Sequence, residues 1–127
     1  MVVLNRQQNP VQGAYDALCD RAVTVYHRAG ANDITRTVYP QAFIDCDRGR
    51  NVNRVGATDA TGYLVVIPGD FRACEIGDKI IEGAGPEIAT DDEWRALIPS
   101  KVDGVIVVRT VDVKPWGGRI AHTEARG

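Results

Sequence analysis

The stretch GVIVVRTVDVK, residues 104–114, decides the fold. It is built largely of β-branched residues, which suit a pleated surface and lose rotamer freedom in a helix. Read as one strand, it puts Val105, Val107, Arg109, Val111 and Val113 on one face and Ile106, Val108, Thr110, Asp112 and Lys114 on the other. The PWGG that follows turns the chain, and RIAHTEA, residues 119–125, returns as a last, more polar strand. Immediately upstream lies the strongest helix signal. In TDDEWRALIP, residues 90–99, Thr90 can cap the amide of Glu93 while the Glu93 side chain reaches back, and Asp91 and Asp92 favour the positive end of the dipole. Pro99 stops the run, and Trp94, Leu97 and Ile98 form one apolar face for docking on a sheet.

Further back, GYLVVIP (62–68) is continuously apolar and too short for a helix, and GDKIIEG (77–83) gives a turn and a brief strand stopped by GAGP. AVTVYH (22–27) alternates as a strand, and the turn-like RAGAND links it to ITRTVYPQAFIDC (34–46). Proline is tolerated in a ladder only at an edge or a bulge, so Pro40 predicts a bend near Tyr39–Pro40. DRGRNVNRVGATDAT (47–61) reads as a long hairpin around a short strand near Val52–Val55. GAGPE (83–87) lacks both GxGxxG and a Lys-Ser/Thr ending, so it reads as a flexible loop and not a phosphate cradle. Residues 1–21 form an N-terminal arm or short helix, with Ala14, Leu18 and Ala22 at helical spacing, ahead of a single β-barrel domain over 22–127. The expected class is mainly β: a small antiparallel barrel or sandwich of six to seven strands with one short helix inserted at about 90–98.

Composition narrows function. A chain of 127 residues with 44% hydrophobic and 25% charged residues is globular and long enough for a core. Fifteen Lys plus Arg against seventeen Asp plus Glu give −2, which argues against a dedicated duplex-DNA or anionic-membrane binder. No apolar run approaches the ~20 residues of a membrane span, and MVVLNRQQNP lacks a secretory lead, so the chain is expected to be soluble and intracellular when made. Cys19, Cys46 and Cys74 have no CxxC spacing and sit in apolar surroundings, so they read as small core residues and not as a disulfide or zinc framework.

Signatures of catalysis are thin. Ser100 is the single serine and has no GxSxG around it; His27 and His122 are isolated in strands, without metal-ligand spacing. The acidic residues Asp91, Asp92 and Glu93 are accounted for by the helix cap. No catalytic residue, metal or cofactor is expected. Recognition is expected on loops: Arg48, Arg50, Asn51 and Arg54 of the long hairpin, and Gly85, Pro86 and Glu87 of the loop before the helix.

Several segments together resemble a known family. TVYHRAG (24–30), TRTVYPQAFI (35–44), TGYLVVIPGD (61–70), IGDKIIEGAG (76–85), TDDEWRAL (90–97) and VIVVRTVDV with a glycine turn and a His-containing last strand (105–125) occur in an order similar to that of tailed-phage minor capsid and head-closure (head-to-tail connector) proteins. The likeness covers about residues 24–125, and its most specific piece is the succession of an apolar strand ending in IP, GDxIxxG, a capped helix and TVxV. The family often has a tryptophan soon after the second strand, where this chain has Ala42, Phe43, Ile44 and Asp45. The resemblance implies a non-enzymatic virion protein, a stopper or adaptor in a ring of about twelve copies below the portal. Its implied partners are a portal or adaptor protein, a tail terminator or tail-tube protein, and genomic DNA that passes the lumen without sequence-specific binding. Its implied location is the virion neck, and the host cytoplasm during assembly. A tail terminator or tail-completion subunit, or a small β-barrel nucleic-acid-binding module, are the alternatives.

Overall fold

The computed structural model describes residues 18–48 and 61–127. Among these residues seven strands follow one another: β1 (Arg21–Gly30), β2 (Asp33–Arg48), β3 (Thr61–Pro68), β4 (Lys79–Glu82), β5 (Ile106–Val107), β6 (Thr110–Trp116) and β7 (Arg119–Arg126), with the helix α1 (Asp91–Ala96) between β4 and β5. Every pairing is antiparallel, and the order across the sheet is β5-β4-β1-β2-β3-β7-β6. The mainly β class is as the sequence predicts, and α1 is the short helix expected at about 90–98, although it spans only Asp91–Ala96. The expected strand near Val52–Val55 lies outside the described residues.

The sheet is not a closed barrel, because no ladder joins β5 to β6. Instead its two ends are consecutive in the chain, separated only by Val108 and Arg109. At that step the strand changes partners: Val108 N–H donates to the Asp78 carbonyl on the β4 side, and Arg109 N–H donates to the Arg126 carbonyl on β7. The step also overturns the simple alternation expected for 104–114. Ile106 and Val108 are buried before it, whereas after it Val111 packs against the core and Thr110 and Asp112 are exposed. An irregular step between two partners moves the inward positions from even to odd numbers, as a one-residue slip does in any pleated strand.

β2 makes the corresponding turn on the other side. Its first half pairs with β1 and its second half with β3, and the β1 register slips between Val23↔Tyr39 and Arg21↔Ala42, leaving Pro40 and Gln41 opposite Ala22 alone. The proline therefore sits at a bulge, the position at which its missing N–H costs no ladder bond. Wrapped in this way, the sheet directs Val23 and Val25 of β1, Ala42 of β2, Val65 and Ile67 of β3, Ile80 of β4, Ile106 of β5 and Ala125 of β7 into one core. Ala73, Cys74 and Val108 complete it from the connections. Cys19 and Cys74 are buried, as expected of small core residues, but Cys46 is exposed.

Candidate functional site

α1 forms because its cap is complete. The Thr90 hydroxyl accepts from the Glu93 N–H at 3.2 Å, while the Glu93 carboxylate accepts from the Thr90 and Ala89 N–H groups at 3.1 and 3.0 Å. Those backbone bonds, with the Thr90 hydroxyl, hold the Glu93 carboxyl below its ordinary value. A second core docks the helix: Leu97, Val105 and Tyr26 are buried, with Trp94 and Ile88 packed beside them. Lys79 reaches up from β4, donates from Nζ to the Trp94 carbonyl at 2.6 Å and lies 4.4 Å from the centre of the Trp94 ring. Burial, with a smaller contribution from Arg28, pulls the Lys79 pKa down. From the side, Asp91 is gripped by Arg28 and Arg95, each at 2.6 Å.

The loop before the helix is held as firmly. The fully buried Thr24 hydroxyl donates to the Gly83 carbonyl at 2.6 Å and accepts from the Gly85 N–H at 2.8 Å. The Tyr26 hydroxyl donates to the Pro86 carbonyl at 2.6 Å, and Arg36 Nε donates to the Gly85 carbonyl at 2.8 Å. Burial raises the Tyr26 pKa, against a smaller lowering by Arg36. The flexible loop read from GAGPE is thus a fixed one, because its backbone groups find partners about sixty positions away on β1 and 49 positions away on β2.

Of the expected recognition residues, Gly85 is buried, whereas Pro86 and Glu87 are exposed. Arg48 closes the β2–β3 ladder opposite Thr61. Arg50, Asn51 and Arg54 lie outside the described residues. Of the described positions, the loop is fastened at Arg36, near the beginning of β2, and Arg48 is the last residue of that strand.

Two histidines have carboxylate partners, one of them 51 positions away in sequence. His27 Nδ1 lies 2.7 Å from Asp78 Oδ1, and the buried Asp78 carboxylate also accepts from the Glu75 N–H at 2.8 Å. His122 Nε2 lies 2.9 Å from Glu124 on the same strand. Near the first pair Cys74 is buried, and burial, reinforced by the Asp78 charge, pushes its thiol up to about 11. A thiol held protonated in this way is a core group and not a nucleophile. No group of three or more His, Cys, Asp or Glu side chains suited to a metal ion occurs among the described residues.

Two neighbouring hollows open where the ends of the sheet meet. One, of about 440 Å³, is lined by Asp45, Tyr63, Arg109 and Arg126 among others. The other, of about 450 Å³, shares Tyr63 and Arg109 and extends to Pro99 and Asp103. A third, of about 260 Å³, lies beside the stacked rings of Tyr39 and Phe71, with Pro40 and Pro68 in its walls. Sequence reading did not bring Arg109 and Arg126 to one hollow, because Arg109 lies in the step between β5 and β6, Arg126 lies on β7, and the two form no motif.

Residues 18–127 match the model of a family described as "Family of unknown function (DUF6751)". No curated protein and no solved structure matches the chain.

Proposed function

The chain belongs to that family of unknown function, DUF6751, and for this member we propose a structural role in a tailed-phage virion, as a head-closure or adaptor component of the head-to-tail connector. The observation that carries the reading is the succession of elements behind the resemblance. β3 ends in Ile67–Pro68, Gly77–Asp78 leads into β4, a complete capping box opens α1, and the β6–β7 hairpin forms one edge of the sheet. The exposed Phe71, Ile76 and Trp116 supply apolar surface that a neighbour can cover.

On this reading the free energy of action comes from contacts between subunits, each needing about 800 Å² of surface per partner for a stable interface. A ring of about twelve copies closes the packed head and presents its loops to the tail. Pro86 and Glu87, held rigidly above β1, suit such docking because little entropy is lost when a fixed loop binds.

The test is reconstitution. Purified chain, added to DNA-filled, tail-less heads encoded by the same genome, is expected to bind as a ring and to restore tail attachment, with native mass spectrometry giving the number of copies. A chain that remains monomeric and leaves both heads and tails unbound overturns the proposal. A ring of about six copies on the tail tube replaces it with the tail-terminator role.

A further inference from the structure

The outer edge of β6 is open, and its own residues select what can pair with it. Tyr63 and Gly127 exchange backbone hydrogen bonds at 2.8 and 3.2 Å, and the Gly69 N–H donates to the Ala121 carbonyl at 3.1 Å. The odd-numbered backbone groups of β7 therefore turn toward β3, and the even-numbered Arg126, Glu124 and His122 turn toward Thr110, Asp112 and Lys114 of β6. Antiparallel bonding alternates, so Val111 and Val113 direct N–H and C=O away from β7. Pro115 directs its carbonyl the same way, at an edge where its missing N–H costs the sheet nothing. β6 ends the sheet, and no backbone bonds to that edge among the described residues. Along it, the half-exposed Asp112 and Lys114 side chains touch each other at 3.3 Å and share a face with Trp116, which is 50% exposed. On the β7 side Asp112 stands opposite Glu124, a like charge, so a cation on its free side is favourable.

We propose that β6 pairs antiparallel with β6 of a second copy of this chain, about a two-fold axis through Val113. Val113 then exchanges hydrogen bonds with the partner's Val113, and the Val111 N–H meets the partner's Pro115 carbonyl. Asp112 lies directly opposite the partner's Lys114, Lys114 opposite the partner's Asp112, and Trp116 against the partner's Thr110. Moving the axis to Asp112 sets Asp112 against the partner's Asp112, and moving it to Lys114 sets Lys114 against the partner's Lys114. Read backwards, Asp-Val-Lys is its own complement in charge, which selects both the occupant and the register. Such a contact is isologous, unlike the head-to-tail contacts of a ring, so it goes beyond the connector reading and rests on no part of it.

The experiment is sedimentation velocity of the full chain from about 5 to 500 μM at about 0.05 M salt, where a concentration-dependent dimer is expected. Asp112→Lys and Lys114→Asp are each expected to weaken self-association about tenfold. An equimolar mixture of the two variants is expected to form a heterodimer, because each lysine of one then faces an aspartate of the other. In the unaltered chain, hydrogen-exchange protection that grows with concentration is expected at the Val111 and Val113 amides. It is not expected at Asp112 and Lys114, whose amides β7 already holds. A chain that stays monomeric, a dimer indifferent to both charge reversals, or Val111 and Val113 amides already protected in the dilute monomer overturns the proposal. A dimer paired in this way that leaves phage heads unbound removes the connector reading alone. A head-bound ring built from a chain that is monomeric in isolation removes this one alone.

Discussion

Gly85 holds its loop in place by lacking a side chain. A Cβ there would collide with the Tyr26 hydroxyl, the group that donates to the Pro86 carbonyl. Gly85→Ala is therefore expected to cost about 1–3 kcal/mol in urea unfolding. In a Tyr26→Phe background the nearest atom is a ring carbon 3.2 Å away, so the same substitution should cost about 1 kcal/mol less. Equal costs in the two backgrounds would show that the collision is relieved elsewhere. Cys74 governs a different condition. Its thiol titrates near 9.0 when unfolded and near 11 when folded, so above pH 9 the unfolded state releases a proton that the folded state keeps. Stability is thus fully present below pH 9 and falls by about 2–3 kcal/mol as pH rises through 11. Lys79 acts in the opposite direction: its lowered pKa lets the folded state shed a proton before the unfolded one does, so its contribution to stability grows as pH rises from that lowered value to 10.5. Cys74→Ala should accordingly flatten the fall between pH 9 and 10, and an unaltered slope would remove Cys74 as its cause.

At the scale of the element, α1 is too short to persist unaided, so its cap and its docking must share the burden. Thr90→Ala is expected to cost about 1 kcal/mol, read in thermal unfolding by circular dichroism, with α1 amides exchanging faster while β1 amides keep their protection. Because the Glu93 pKa is depressed, its contribution is present above 4.5 and is lost as pH falls through the lowered value; Glu93→Gln should remove that acid limb. An acid limb that persists in the variant would assign it to other carboxylates. The capping box was legible in sequence because all its partners fall within five residues, and the Pro40 bulge was legible because proline itself forbids the alternative. The break at Val108–Arg109 was not legible, since nothing in VIVVRTV says that β4 flanks one half and β7 the other. For the same reason the fixed course of Gly83–Pro86, fastened to Thr24, Tyr26 and Arg36, read as flexibility, and the convergence of Arg109 and Arg126 went unseen.

Across the whole molecule one core receives side chains from both halves of the sheet, so the halves cannot melt separately. Ile67→Ala, at a fully buried position, is expected to lower stability by about 2–5 kcal/mol while near- and far-ultraviolet circular dichroism still report coincident transitions. Two separated transitions would show that the join between β5 and β6 is weaker than the shared core implies. The charge of the molecule makes a second whole-molecule statement. Affinity for DNA grows with the number of phosphates that free cations neutralise, and most of that affinity is lost in salt when the number is small. Here the total is −2, and Arg21, Arg28, Arg72 and Arg95 already hold carboxylates. Fluorescence anisotropy with a labelled duplex of about 30 base pairs should therefore detect no binding below about 10 μM protein at roughly 0.15 M salt. The proposed connector role would require the same behaviour, because DNA would have to slide through such a ring without being gripped by it. Submicromolar, salt-resistant binding would mean that the hairpin arginines outweigh the acidic remainder, and the nucleic-acid-binding alternative would then replace the connector.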